Sequence, residues 1–179
     1  MARTCRQNRN CIAGLDQGPQ TRSDTVDTGR YNVLLLDDDL DQIDLARRAA
    51  VESFRDIELI AVTSGDGVLD WLRTVVRNNE QLPHIILLDL KLPKLDGLAL
   101  LRKLRSFSPT GEIPIVVYSA VYTQPDVLMS YRAGANSFVA KPADVAGYAE
   151  FFRERLAYWM QPQQRRPLFT PKDGAGQGI

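Results

Sequence analysis

Four short apolar runs each deliver a polar side chain at or just beyond their end. Tyr31–Leu36 leads into Asp37, Asp38 and Asp39, and the run 84–90 (HIILLDL) carries Asp89. The run 113–118 leads into Ser119, and Ser137–Ala140 leads into Lys141 and Pro142. If these runs are neighbouring strands, several carboxylates, a hydroxyl and an ammonium meet at one rim. Carboxylates that close repel one another and rise in pKa unless a cation sits among them. A hard divalent ion with oxygen ligands suits the site, and Mg²⁺ typically takes one or two carboxylates, water and phosphate oxygens. Zinc has no support: His84 is the only histidine, and Cys5 and Cys11 match no zinc or redox spacing. The ion lets a phosphate dianion approach an acidic site. Asp89 is then an in-line nucleophile that forms an aspartyl phosphate. Lys141 and Ser119 contact phosphoryl oxygens that the metal leaves free.

This chemistry needs strands that end together. Ile57–Val62 is a further apolar run, which makes five. Between them lie segments of helical spacing. Ile43, Ala46, Ala50 and Val51 mark the first, which ends near Phe54; Val68, Leu69, Leu72 and Val76 mark the second. Leu98, Leu100, Leu101 and Leu104 mark the third, 127–133 the fourth, and 145–160 a longer fifth with Tyr148, Phe151, Phe152, Leu156 and Trp159. Strands one, three and four are apolar almost throughout, as parallel strands covered on both faces are. The alternation predicts a doubly wound, flavodoxin-like α/β fold: a five-stranded parallel sheet of order 2-1-3-4-5 with helices on both faces. Such sheets bind ligands at the carboxyl ends of strands one and three.

The domain is expected over 30–160. Residues 1–29, polar and without helix or strand period, are expected to be a disordered extension, and 161–179 a flexible tail. Lys+Arg and Asp+Glu both number 22, which argues against a dominant electrostatic nucleic-acid binder. No run reaches the roughly 18 apolar residues of a membrane span. Arg3, Arg6 and Arg9 have no apolar core behind them, so a signal peptide is not expected. The expected location is cytoplasmic.

Residues 31 to about 158 resemble the receiver domain of two-component response regulators. Asp37-Asp38 resembles the family's acidic pair, and the stretch 89–97 (DLKLPKLDG) its phosphoacceptor loop. The stretch 117–120 (VYSA) resembles its Ser/Thr strand end, and 134–142 (GANSFVAKP) its last strand and Lys-Pro. The resemblance implies that Asp89 is the phosphoacceptor. It implies that Asp38 and Asp89 bind Mg²⁺ through side chains, Asp37 mainly through water, and Lys91 through its backbone carbonyl. Ser119 moves toward the phosphoryl group, Lys141 ion-pairs with it, and Phe138 rotates as the aromatic switch, without the hydroxyl of the Tyr often found there. The stretch 130–138 and the long last helix with Tyr158-Trp159 look like single-domain regulators paired with phytochrome-type histidine kinases. That likeness implies a histidine kinase as donor, and a homodimer through the strand four to helix five face and the C-terminal extension. The segment after the last helix is expected to be too short and polar for an output domain. Output then runs through a downstream protein or a phosphotransfer protein, with no nucleic acid and no membrane involved.

Rival readings are weaker. A haloacid-dehalogenase-like phosphatase wants a second acid two residues after its nucleophile, where this chain has Lys91. A binding scaffold that is never phosphorylated is the third reading, and incubation with Mg²⁺ and a phosphodonor such as acetyl phosphate separates it. An enzyme with turnover is therefore not expected beyond Mg²⁺-dependent self-phosphorylation and slow self-dephosphorylation. Asp39 and Asp41 read as helix-capping or dipole residues, Asp96 as a helix-start residue, and His84 as structural at the end of the sheet away from the acids.

Overall fold

The computed structural model describes residues 11–12, 31–53, 57–92 and 96–160. Five parallel strands form the sheet: β1 (Tyr31–Leu36), β2 (Ile57–Val62), β3 (Ile85–Asp89), β4 (Ile115–Ser119) and β5 (Ser137–Ala140). Their order is 2-1-3-4-5, as the sequence predicts. A two-residue strand, Cys11–Ile12, pairs parallel with β2 at its outer edge. It falls within the segment expected to be disordered; the rest of 1–29, and all of the expected tail 161–179, lie outside the described residues.

The helices are α1 (Leu40–Ser53), α2 (Gly65–Arg77), α3 (Gly97–Ser106), α4 (Gln124–Arg132) and α5 (Val145–Phe151). A π-helical stretch, Phe152–Leu156, carries α5 into α6 (Ala157–Met160), so the long last helix is interrupted by a wider turn. Side chains along each strand alternate between two cores. Val33, Leu35, Ile85, Leu87, Val116 and Tyr118 pack with residues of α1 and α5, including Ala46 and Tyr148. Leu34, Leu36, Ile86, Leu88, Ile115 and Val117 pack with residues of α2 and α3, including Leu72 and Leu101. Each large apolar side chain contributes about 1.5–3 kcal/mol when fully buried. The apolar runs at β1, β3 and β4 therefore follow from a sheet that has no wet face.

Two helix positions differ from the expected stripes. Val51 is 79% exposed and Val76 is 40% exposed, whereas their neighbours Ala50 and Val75 are buried. In both cases the stripe passes one residue earlier, and a 3.6-residue turn does not tolerate that shift.

Local chemistry sets the helix starts next to the strand ends. Asp39 Oδ1 accepts the amides of Asp41 (2.9 Å) and Gln42 (3.3 Å) at the start of α1. Asp96 Oδ1 accepts from Leu98 N at 2.9 Å and caps α3. Thr123 and Asp126 form a reciprocal capping box at α4, with Pro125 in its first turn. These are the capping roles expected for Asp39 and Asp96.

Gly97 brings α3 against the loop after β3. A Cβ on Gly97 would lie 2.7 Å from both the Cα and the carbonyl oxygen of Leu90. Both are backbone atoms, so relief requires moving the residue next to Asp89. Gly97→Ala is expected to cost about 1–3 kcal/mol, the usual range for overpacking. Thermal melting measures the loss, and a midpoint equal to that of the unmodified chain would contradict this account.

Candidate functional site

The carboxyl ends of β1, β3, β4 and β5 converge because all four strands run the same way. Asp37 follows β1, and its amide donates to Val62 O at 3.2 Å, which ties the acidic turn to β2. Asp37 is fully buried and Asp89 is 5% exposed. Lys141 spans the gap: Nζ lies 2.8 Å from Asp89 Oδ2 and 2.9 Å from Asp37 Oδ2. Its backbone amide donates to Ser119 O at 3.0 Å, so β4 holds the residue that follows β5.

Each buried acid also accepts an amide from the turn that follows it. Asp39 N donates to Asp37 Oδ1 and Lys91 N donates to Asp89 Oδ1, both at 3.0 Å. Asp38 is half-buried, and one carboxylate oxygen each from Asp37, Asp38 and Asp89 lie within 4.8 Å of one another. Three carboxylates against the one ammonium of Lys141 leave an excess of two negative charges. Hard oxygen donors at that spacing, with surplus negative charge, fit a small divalent cation and suit no soft metal.

Burial works against the charged forms of Asp37 and Lys141. Loss of water raises the Asp37 carboxyl above its ordinary value, against the opposing pull of Lys141 and of Tyr118. Burial pulls the Lys141 ammonium down, but hydrogen bonds from it to Asp37 and Asp89 outweigh burial and leave its pKa raised. The ammonium is therefore firmly charged at neutral pH.

The remaining residues singled out in the sequence are placed less directly. Ser119 is buried at the end of β4, but its hydroxyl donates to Val121 O at 3.1 Å, away from the acids. Lys91 stands beside Asp89 through its amide, while its Nζ reaches Asp126 Oδ2 at 3.9 Å. Phe138 sits on β5 with its ring edge-on to Tyr122 at 5.0 Å, and its amide donates to Tyr131 Oη at 3.3 Å. Phe138 is half-buried and makes no bond to the acids. His84 lies at the opposite end of the sheet, where Nδ1 accepts the Asn32 amide at 2.9 Å.

Two tyrosines were not legible as site residues. Tyr118 donates its hydroxyl to Asp37 Oδ2, and Lys141 Nζ stands 5.1 Å from the centroid of its ring. Burial, with Asp37 next, pushes the Tyr118 hydroxyl well above its ordinary pKa, so it is a permanent donor. Tyr148 on α5 donates to Gln42 Oε1 on α1 at 2.9 Å. The period-2 pattern of β4 would have placed Tyr118 on the α1/α5 side, but no spacing in the sequence names its partner.

A fold of this order with acids at the ends of strands one and three, a hydroxyl after four and a lysine after five defines a class. Residues 33–147 match the family model described as "Response regulator receiver domain". The chain belongs to the response regulator receiver family. Among its relatives is the probable methanogenesis regulatory protein FilR2 of Methanothrix harundinacea, 27% identical over 82% of this chain and 92% of FilR2. Response regulator Rcp1 of Synechocystis is 27% identical over 72% of this chain and 88% of Rcp1. The Mn²⁺-bound structure of Rcp1 superimposes with a TM-score of 0.63, at 26% identity over 74% of this chain and 96% of Rcp1. The phosphorylated cyanobacterial phytochrome response regulator RcpA gives 0.66, at 28% identity over 74% of this chain and 95% of that one. No described helix is long and apolar enough to cross a membrane.

Proposed function

We propose that the chain is a stand-alone phosphoacceptor switch that takes its phosphoryl group from a histidine kinase onto Asp89. The observation that carries this reading is the buried Asp37–Lys141–Asp89 cluster with Asp38 at its mouth. Asp38, Asp89 and the Lys91 carbonyl would hold Mg²⁺, and Asp37, whose oxygens already accept three donors, would act through water. Bound there, Mg²⁺ supplies charge neutralisation for the incoming phosphoryl oxygens. A carboxylate oxygen of Asp89 attacks phosphorus in line. The P–N bond to the kinase phosphohistidine breaks with its electron pair left on nitrogen, and the ring, already protonated on its other nitrogen, leaves as neutral imidazole. Lys141 then keeps one cationic contact on the phosphorylated carboxyl or on a phosphoryl oxygen. Ser119 turns from Val121 O toward the phosphoryl group, and the half-buried Phe138 changes rotamer against Tyr122, which alters the β4–β5 face.

The domain is proposed to span 30–160, with extensions on either side. The stand-alone reading draws on matches that run nearly the whole length of FilR2 and Rcp1. A phytochrome-type kinase as donor draws on the likeness to RcpA. Output would pass to a downstream or phosphotransfer protein in the cytoplasm, and activity as an enzyme would be limited to self-phosphorylation and slow self-dephosphorylation.

The direct test is incubation with Mg²⁺ and acetyl phosphate, read by intact mass. One added phosphoryl group that is acid-stable but labile to base and hydroxylamine is expected. An unchanged mass would leave the scaffold reading in its place.

Metal binding has a separate readout. A ligand that binds the folded state stabilises it by about 2.7 kcal/mol at a hundredfold excess over its Kd. Millimolar Mg²⁺ should therefore raise the melting midpoint, and EDTA should abolish the rise. A midpoint indifferent to Mg²⁺ and Mn²⁺ would remove the metal from the scheme.

A homodimer is proposed through the β4–α5 face and the C-terminal extension. Tyr122, Tyr131 and Tyr158 are each more than two-fifths exposed on and beside that face, where a second copy could cover them. Light scattering should report a dimer in at least one of the two states, with or without beryllofluoride, and a monomer in both would exclude it.

A further inference from the structure

The metal-site reading leaves the buried hydroxyl of Tyr118 without a role. We infer that Tyr118 is a positioning residue, which fixes the Asp37 carboxylate so that Lys141 can leave it for a phosphoryl oxygen. The inference rests on the proposed phosphoacceptor reading and deepens it.

Asp37 is buried completely, so each of its oxygens needs a donor from the protein or from bound water. Oδ1 has the Asp39 amide at 3.0 Å. Oδ2 has two donors, Lys141 Nζ at 2.9 Å and the Tyr118 hydroxyl. Two donors on one oxygen look redundant while the site is at rest. They cease to be redundant when Lys141 is drawn toward a phosphoryl group on Asp89. Without Tyr118, that movement would strip Oδ2 of its last donor and leave a buried carboxylate edge unpaired, which is costly. With Tyr118 in place, Asp37 keeps its orientation and Lys141 is free to move.

The ring contributes as well. Lys141 Nζ stands 5.1 Å from the Tyr118 ring centroid, within reach of a cation–π contact. The residue thus touches both groups that flank Asp89, from the α1/α5 side of the sheet. It is reachable only because the register sets Tyr118 opposite Asp89 on the neighbouring strand. A hydroxyl at this place serves no core-packing need, since Phe would fill the same volume. Hydrogen bonds from outside the ligand shell of a metal site commonly matter by about 10–100-fold in affinity or activity.

The test uses the full chain and Mn²⁺ as probe, with free Mn²⁺ counted by electron paramagnetic resonance. Tyr118→Phe removes one oxygen and keeps the ring. With beryllofluoride on Asp89 standing in for the phosphoryl group it should weaken Mn²⁺ binding roughly tenfold, and without beryllofluoride, where Lys141 still holds Asp37, by no more than about twofold. Asp37→Asn should weaken it too, and the double variant should bind no worse than Asp37→Asn alone, because Tyr118 acts only through Asp37. Melting midpoints are taken alongside. Three results overturn the inference: Tyr118→Phe binding within about twofold of the unmodified chain in the presence of beryllofluoride, losses that multiply in the double variant under the same condition, or a Tyr118→Phe chain that no longer folds at the assay temperature, which would make Tyr118 a folding residue. An unmodified chain that binds no Mn²⁺ would sink the metal-site reading and this inference together. The first two results leave that reading standing.

Discussion

Asp89→Asn should take up no phosphoryl group from acetyl phosphate, under conditions where the unmodified chain gains one. The change is nearly isosteric. The amide can keep its oxygen toward Lys91 N, the bond that Asp89 Oδ1 accepts at 3.0 Å, so the turn after β3 has no reason to move. What disappears is the nucleophilic carboxylate oxygen and one negative charge. An amide oxygen of Asn has no comparable reactivity toward phosphorus. Removing the nucleophile in covalent catalysis generally costs on the order of 10⁴-fold or more, which here puts labelling below detection. Lys141 remains neutralised by Asp37 at 2.9 Å, so the fold should survive. Intact mass after a fixed incubation is the measurement, with circular dichroism to verify the fold. A label that persists in Asp89→Asn would place the phosphoacceptor elsewhere and undo the proposed function. Asp38→Asn makes the informative companion: it keeps the nucleophile and should be labelled, but with a much higher Mg²⁺ requirement.

Much of this site is legible in the sequence because it lies where two simple patterns meet. Apolar runs of five or six residues can be strands buried on both faces, and a parallel sheet sends all their carboxyl ends to one rim. Asp37, Asp89, Ser119 and Lys141 each end such a run, so placing the runs places the residues. Contacts that depend on the register between distant strands are not legible in the same way. Tyr118 looks like any aromatic residue in a strand until β4 is set beside β3 in register and its hydroxyl is seen to reach a turn after β1. Val51 and Val76 show a smaller limit. A β-branched residue beside a helical stripe looks apolar enough to belong to it, but the burial falls on Ala50 and Val75. The orientation of the Ser119 hydroxyl toward Val121 also escapes the sequence, since a rotor chooses among acceptors that only the folded loop presents.

Arg105 marks the same limit far from the acids, and replacing it is expected to have the largest effect on stability. In the sequence it is one of the basic residues in the last turn of α3, where a cation favours the helix dipole. In the fold its guanidinium is drawn inward. Nε donates to Gly134 O at 2.6 Å, and one terminal nitrogen donates to Gly111 O at 3.1 Å and to Ile113 O at 2.6 Å. The other donates to Asn136 Oδ1, which also accepts the Ile115 amide at 2.9 Å. Three segments are thus held by one planar group: the end of α3, the turn leading into β4 and the turn leading into β5. The stem packs on Gly134, whose φ of 105° suits glycine and where a Cβ would come within 2.8 Å of Arg105 Cγ. Burial lowers the pKa of Arg105 to about 10, which still leaves it charged at neutral pH. Hydrogen bonds to a charged group contribute about 1.5–3 kcal/mol each, and water can replace part of this set because Gly111 and Ile113 are half-exposed. Arg105→Met should therefore lose about 3–4 kcal/mol, or roughly 10 °C in melting midpoint for a domain of this size. Arg105→Lys should recover little, because a single ammonium cannot address acceptors arranged around a planar fork. Labelling by acetyl phosphate at a temperature where each variant is folded should match the unmodified chain, since these contacts lie at the amino ends of β4 and β5, away from Asp89. A loss under about 1 kcal/mol would mean that water substitutes for the guanidinium almost completely. A labelling defect in folded Arg105→Met would mean that the two ends of the sheet are coupled through β4.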